Sequence, residues 1–316
     1  MHCSFIIKHS SYEKKNLTER ACEEVAGFDK LYADMQQKTS LAGKSASTLQ
    51  NYTRHLAKLA LHYDCLPTDL DTDQVNDYLY LMQQRHDTPS DSYFKFTVYG
   101  LRFAYRMYGM KDKRIELPSI KKEKKLPVVL SREEVRRLLQ TPSLLKHRVL
   151  LGLLYGCGLR CFEVRNVQLR DIDFDRGMLH VRQGKGKKDR YVPLGEMLIR
   201  GLKKYLGAEQ PEQWLFNGKP DGKAGGDFDC RYSQRGVQWA VRQAGNTAGI
   251  SKEMTVHTLR HTYATHLLEE GLDILSIRDL LGHECIDTTM VYLHVAQSGR
   301  VKPFSPLDKL FGKRNM

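Results

Sequence analysis

His257-Thr258-Leu259-Arg260-His261, Leu280-Leu281-Gly282-His283 and Tyr292 follow one another near the end of this sequence. These residue types suit phosphate chemistry. An arginine fork holds two anionic oxygens at once. A tyrosine hydroxyl attacks phosphorus once a neighbour takes its proton. No carboxylate pair stands ready for a metal. Three further pieces lie upstream. Arg160 follows the Gly156-Cys157-Gly158 break, where backbone can approach a substrate. Glu163, three residues on, shares its helical face and can orient the guanidinium. Lys185, between Gly184 and Gly186, is free to reach a ligand and protonate a leaving oxygen. Taken singly, each is ordinary. An arginine after a glycine turn caps a helix, a lysine in a glycine turn is solvated, and Tyr292 beside Val291 and Leu293 is core. His257 and His261 lack the glutamate of a zincin motif, and His261 and His266 read as helix-packing residues. Together, the set supplies what metal-free cleavage of a phosphodiester requires: cations for the pentavalent transition state, a nucleophile, and an acid.

The elements that position this set are mostly α-helical, with a small antiparallel β-sheet, in an α+β catalytic domain preceded by an all-helical domain. Ser47 caps a helix running to about Tyr63, with Leu49, Tyr52, Leu56, Leu59 and Leu66 at helical spacing. Thr72 or Asp73 starts a second helix, with Val75, Tyr78, Leu79 and Met82 on one face. Ser90 starts a third, with Phe94, Val98, Leu101, Tyr105 and Tyr108. Asp69, Asp71 and Asp73 resemble the start of a calcium loop, but Gln74 and Tyr80 occupy its glycine and glutamate positions, so they read as a turn with caps. Ser131 and Glu134 form a capping box that opens the second domain, and an apolar helix follows from about Leu144 to Tyr155. Ile172–Phe174, Met178–Arg182 and Arg190–Pro193 read as strands, with Lys185 at a hairpin tip. Helices resume near Glu196–Leu206 and Ser233–Ala244. The expected boundaries are 1–40 for an N-terminal arm, 41–112 for the helical domain, 113–126 for a basic linker, and 127–316 for the catalytic domain with its tail. The arm is polar and irregular with one helix around Glu19–Gln36, and either orders on DNA or a neighbouring subunit or is a loosely packed extension.

The chain has 316 residues and a formal net charge of +13, which implies a polyanionic partner, most commonly nucleic acid. Arg54, Lys58, Lys95, Arg102 and Arg106 decorate the first domain, and Lys121, Lys122, Lys124 and Lys125 cluster in the linker, placed to track a phosphate backbone. No run of 18 apolar residues suggests a membrane span, and the apolar patch near the N-terminus is too short for a signal peptide. Seven cysteines without a CxxC pair exclude a disulfide framework or zinc ribbon and read as reduced cytosolic thiols.

Five separated motifs then agree in order and spacing with one family. Gly158-Leu159-Arg160 with Glu163, Gly184-Lys185-Gly186 with Arg190–Pro193, His257–His261, Leu280–His283 and Thr288–Tyr292 resemble the catalytic domain of tyrosine recombinases (phage integrases) over residues 126 to 300. Residues 45–110 are similar to the family's helical core-binding domain. Lys125–Ser131 and Ser305–Asp308 look most similar to Xer-like and integron-type integrases. The resemblance implies a two-domain clamp on duplex DNA. It implies that Tyr292 forms a 3′-phosphotyrosine and frees a 5′ hydroxyl, that Arg160 and Arg260 bind the non-bridging oxygens, and that His257 accepts a proton. His283 would bond the phosphate, Lys185 protonate the leaving oxygen and Glu163 support Arg160. Cys161-Phe162 departs from the usual small residue and serine but leaves Arg160 and Glu163 intact. No cofactor is expected, neither metal nor ATP, since the phosphotyrosine keeps the bond energy. The partners are double-stranded recombination sites and three further copies in a tetramer, with a monomer possible in solution, no membrane, and the nucleoid of a bacterial cytoplasm as location. The tail helix Pro306–Phe311 docks into a neighbour or packs in cis. The rival readings are a nicking-closing enzyme of the type IB topoisomerase kind and a DNA-binding protein without catalysis.

Overall fold

The computed structural model describes residues 15–84, 91–117, 126–182, 189–218 and 229–296. Lys121, Lys122, Lys124, Lys125, Lys185 and the tail helix lie outside the described residues. The chain divides into two compact units, residues 1–124 and 125–316.

Five helices build the first unit: α1 (Leu17–Glu24), α2 (Phe28–Leu41), α3 (Ala46–Tyr63), α4 (Thr72–Gln84) and α5 (Asp91–Met107). The expectation of a separate arm over 1–40 is corrected for α1 and α2. Ala21, Val25, Phe28, Leu31 and Met35 are buried in the same core as Leu56, Leu59, Phe94 and Leu101. The polar residues that suggested an arm cover only the outer faces of these helices. Ser45, not Ser47, caps α3, its hydroxyl taking the Thr48 amide. Asp71 and Gln74 cap each other's backbone amides at 2.7 and 2.9 Å, which is the turn-and-cap reading of the aspartate run. The unit also reaches past 112. Ile115 is buried in its core, and Lys113 donates to the carbonyls of Thr68 and Leu70.

The second unit opens with the expected box, Ser131 and Glu134 capping α6 (Arg132–Gln140). It continues through α7 (Leu145–Gly156) and α8 (Cys161–Arg165). A three-stranded antiparallel sheet follows, β1 (Ile172–Asp173), β2 (Met178–Val181) and β3 (Arg190–Pro193), in that order. Leu179 pairs with Val192, and His180 with Tyr191. Then come α9 (Glu196–Glu209), α10 (Gln234–Thr247), α11 (Val256–Glu269), α12 (Ile274–Leu281) and α13 (Asp287–Met290), running into a 3₁₀ turn, Val291–His294. Leu150, Leu154, Leu179, Val192, Leu202, Phe216, Val241 and Leu259 join helices and sheet in one core. Helix α11 runs through the middle of the unit, with Leu259, Arg260, Thr262, Ala264 and Thr265 all buried. It therefore carries polar groups where only paired ones are tolerated. No helix among the described residues is long and apolar enough to cross a membrane.

Candidate active site

The site starts at Gly158. Its φ of +59° is left-handed, and a Cβ there would sit 2.5 Å from Cδ1 of Tyr263, so only glycine fits. The turn delivers Arg160 to the start of α8. The Arg160 amide donates to Glu163 Oε2 at 2.8 Å and its Nη1 donates to Oε1 at 2.7 Å. This is the pairing expected from the three-residue spacing. Glu163 is not Arg160's alone. Arg190, from β3, donates Nη1 and Nη2 to its two oxygens, both at 2.9 Å, and Nε to the Leu280 carbonyl at 2.8 Å. Arg260 Nη1 stands 3.8 Å from the same carboxylate. Burial pushes the Glu163 carboxyl up, but the hydrogen bonds and charges of Arg190 and Arg160 overcome it and hold the group down at about 2.

Arg260 is 3% exposed. Its Nη1 and Nη2 each donate at 2.6 Å, to the carbonyls of Gly158 and Leu281. The guanidinium is thus held at the meeting point of two turns. Burial first, then the charge of Arg160, lowers its pKa to about 9, so it stays cationic at neutral pH. His283 follows Gly282, whose φ of +63° ends α12, and its Nδ1 lies 2.9 Å from Thr289 Oγ1. Burial, then Arg260, Arg160 and Arg190, lower its pKa to about 3. The imidazole is neutral at physiological pH and offers a hydrogen bond rather than a charge. His257 stands at the exposed side of α11, without a hydrogen-bond partner among the described residues. Partial burial of its ring, then Arg260 and Arg160, lower its pKa.

Tyr292 lies on the 3₁₀ turn and is 1% exposed, packed with Tyr263, Ala264, Ile277 and Leu281. Burial raises its pKa against the opposing pull of Arg260 and Arg160. Its Oη is 3.1 Å from Nδ1 of His261. The hydroxyl is thus held beside His261 and near the arginine cations.

Arg160, Glu163, His257, Arg260, His283 and Tyr292 therefore come together from α8, α11, α12 and the turn after α13, whereas Lys185 falls outside the described residues. Sequence reasoning missed Arg190 and Thr289, and it read His261 as packing when it faces Tyr292. The spacing of Arg190 in the same strand motif as Lys185 was a usable signal. Nothing in the sequence separated His261 from His266. His266 does pack: its Nε2 donates to the Leu130 carbonyl at 3.0 Å and its Nδ1 accepts from Tyr155.

The cations of the first unit divide. Arg102, expected to face DNA, donates Nε and Nη2 to the Ile115 carbonyl, because the chain end after α5 needs that carbonyl satisfied. Lys58 sits over the Tyr93 ring at 4.8 Å. Arg106 is exposed and lines a groove with Lys38, Lys44, Tyr52 and Tyr99. Arg54 is exposed on another groove, beside α1. Among the described residues no three His, Cys, Asp or Glu side chains group to hold a metal ion.

The model of the phage integrase family matches residues 128–298, more than half of the chain and every member of the cluster above. The chain belongs to the phage integrase family. It is a site-specific recombinase of the tyrosine class. Tyrosine recombinase XerA of Thermococcus kodakarensis is 36% identical over 258 residues, covering 81% of this chain and 87% of that protein. Tyrosine recombinase XerD of Staphylococcus aureus is 35% identical over 278 residues, covering 81% and 90%. Among solved structures, XerH site-specific recombinase bound to a palindromic difH substrate shares the fold, with a TM-score of 0.64 at 18% identity, covering 89% of this chain and 90% of that one. For a tyrosine recombinase, the mixed environment of the cluster is informative: three arginines share one carboxylate, and the tyrosine lies beside them in an apolar pocket.

Proposed function

We propose that this tyrosine recombinase cleaves DNA through Tyr292, whose hydroxyl attacks the scissile phosphate to give a 3′-phosphotyrosine and a free 5′ hydroxyl. The observation that carries the reading is Arg260. It is buried, fixed by two backbone carbonyls, and next to Arg160 and Tyr292, so the charge meant for the transition state is already in place. Arg160 and Arg260 bind the non-bridging oxygens, and Glu163 aims Arg160. Neutral His283 donates a hydrogen bond to the phosphate, His257 borders it, and Lys185 protonates the leaving 5′ oxygen. The phosphotyrosine keeps the energy of the broken bond, so a 5′ hydroxyl from the partner strand reverses the step without metal or ATP.

The partners in this reading are two double-stranded recombination sites, held by a homo-tetramer, in the nucleoid of a bacterial cytoplasm. The net charge of +13 supports the polyanionic partner. The test is a nicked suicide duplex made from DNA flanking the coding region. Wild type traps a covalent adduct and Tyr292→Phe does not. A joint product from two sites supports recombination. Relaxation of one duplex without a joint product supports a nicking-closing enzyme instead, and binding without any adduct refutes catalysis through Tyr292.

A further inference from the structure

We infer that His261 is a catalytic residue, the group that takes the phenolic proton of Tyr292 during cleavage and returns it during rejoining. This rests on Tyr292 being the nucleophile. A phenol with an ordinary pKa near 10 needs a proton acceptor to attack at neutral pH. The family resemblance implied His257 for that task. In the structure it is His261 Nδ1 that lies 3.1 Å from Tyr292 Oη, within the reach a base requires. The two rings are tilted at 55° with centroids 5.7 Å apart, and the His257 ring centroid is 6.3 Å from that of His261. His261 also follows Arg260 on the same helix, so the acceptor sits one residue from the group that draws the phosphate in.

The charged and titratable groups facing His261 are His257 and Arg260 from α11, His283 from the turn after α12, and Tyr292 itself. Burial, then His257 and Arg260, lower its pKa to about 4. The ring is therefore neutral, and with its proton on Nε2 it offers the Nδ1 lone pair to the Tyr292 hydroxyl. A DNA phosphate bound at Arg260 brings negative charge that offsets the cation and makes His261 a stronger base when substrate is present. The step balances. The Oη–H bond breaks, the proton goes to Nδ1, the Oη–P bond forms and the P–O5′ bond breaks. The 5′ oxygen takes its own proton from the acid on the leaving side. Rejoining reverses each transfer.

The test measures single-turnover adduct formation on the nicked suicide duplex with His261→Asn, which can hold a hydrogen bond to the phenol but cannot take its proton. His261→Gln is run beside it, so that loss of fold in one variant does not decide the outcome. Melting and DNA binding are measured for both. The expected result is binding unchanged and cleavage slowed about 10²–10⁴-fold, with a rate that climbs with pH through the phenol range. A fluorinated, more acidic tyrosine placed at position 292 should recover most of that loss, because its proton is already gone. His257→Ala should keep the wild-type pH profile. Wild-type rates in both variants overturn the proposal. So does faster cleavage, which would make the bond a restraint on Tyr292, and so does a loss that the acidic tyrosine fails to recover, which would make His261 a packing group. An adduct that persists in Tyr292→Phe overturns the assignment of the nucleophile as well, and so is told apart from a failure of His261 alone.

Discussion

Glu163→Gln is the substitution whose cost the structure sets most directly. The carboxylate is buried and accepts four hydrogen bonds, two from Arg160 and two from Arg190. Glutamine keeps the shape but removes the charge, and it turns an NH₂ donor toward a guanidinium. The folded-state pKa of about 2, against 4.5 for a free glutamate, corresponds to about 3 kcal/mol of stability at neutral pH. Breaking a buried ion pair costs about 3–5 kcal/mol, which agrees. For a unit of this size that is a drop in Tm of about 6–12 °C. The chain has two tryptophans, Trp214 and Trp239, and both lie in the catalytic unit, so tryptophan fluorescence follows that unit's melting in the full chain. Since the folded pKa is depressed, the stabilisation is full above pH 4.5 and fades as pH falls toward 2. The gap between wild type and variant should therefore be widest near pH 7 and close on acidification. A variant melting within about 2 °C of wild type at pH 7, or a gap that stays constant as pH falls, would refute the account of Glu163 as the shared anchor of the arginines.

Gly158→Ala should lose at least about 3 kcal/mol, from left-handed backbone strain plus the overlap with Tyr263. An unchanged urea midpoint would show that the turn tolerates a side chain. Thr262→Val removes the hydroxyl that accepts the buried Leu130 amide at 3.1 Å. It should cost about 1–3 kcal/mol and speed hydrogen exchange at that amide. Arg106→Ala should weaken DNA binding and reduce the slope of log affinity against log salt by about 1. Arg102→Ala should instead destabilise the helical unit, since its guanidinium is committed to the Ile115 carbonyl. Equal salt slopes for the two variants would contradict that division.

Much of the fold was legible because core spacing and caps are local. Val75, Tyr78, Leu79 and Met82 form the buried face of α4 as their periodicity said, and Ser131 with Glu134 begins α6. Helices α1 and α2 were legible only as one helix around Glu19–Gln36. The structure breaks it at Gly27, whose φ of +80° is left-handed, and the partner surface on α3 is supplied from elsewhere in the chain. At the site, Arg160 and Glu163 were readable together because three residues on one turn meet. Arg190 bonding to Glu163, and Tyr292 to His261, join residues 27 and 31 apart. No periodicity encodes such contacts. The cluster's electrostatics also depended on burial, which decides that His283 stays neutral while Arg260 stays charged.

The pinning of Leu130 has a mechanical side. Its amide is held by Thr262 and its carbonyl by His266, both on α11 and within two turns of Arg260. Leu130 is also where the chain coming from the helical unit first becomes part of the catalytic core. Both backbone groups of one residue at the start of the second unit are therefore stapled to the helix that carries Arg260 and His261, so the entry of the chain into this unit and that helix are fixed to one another through two side chains.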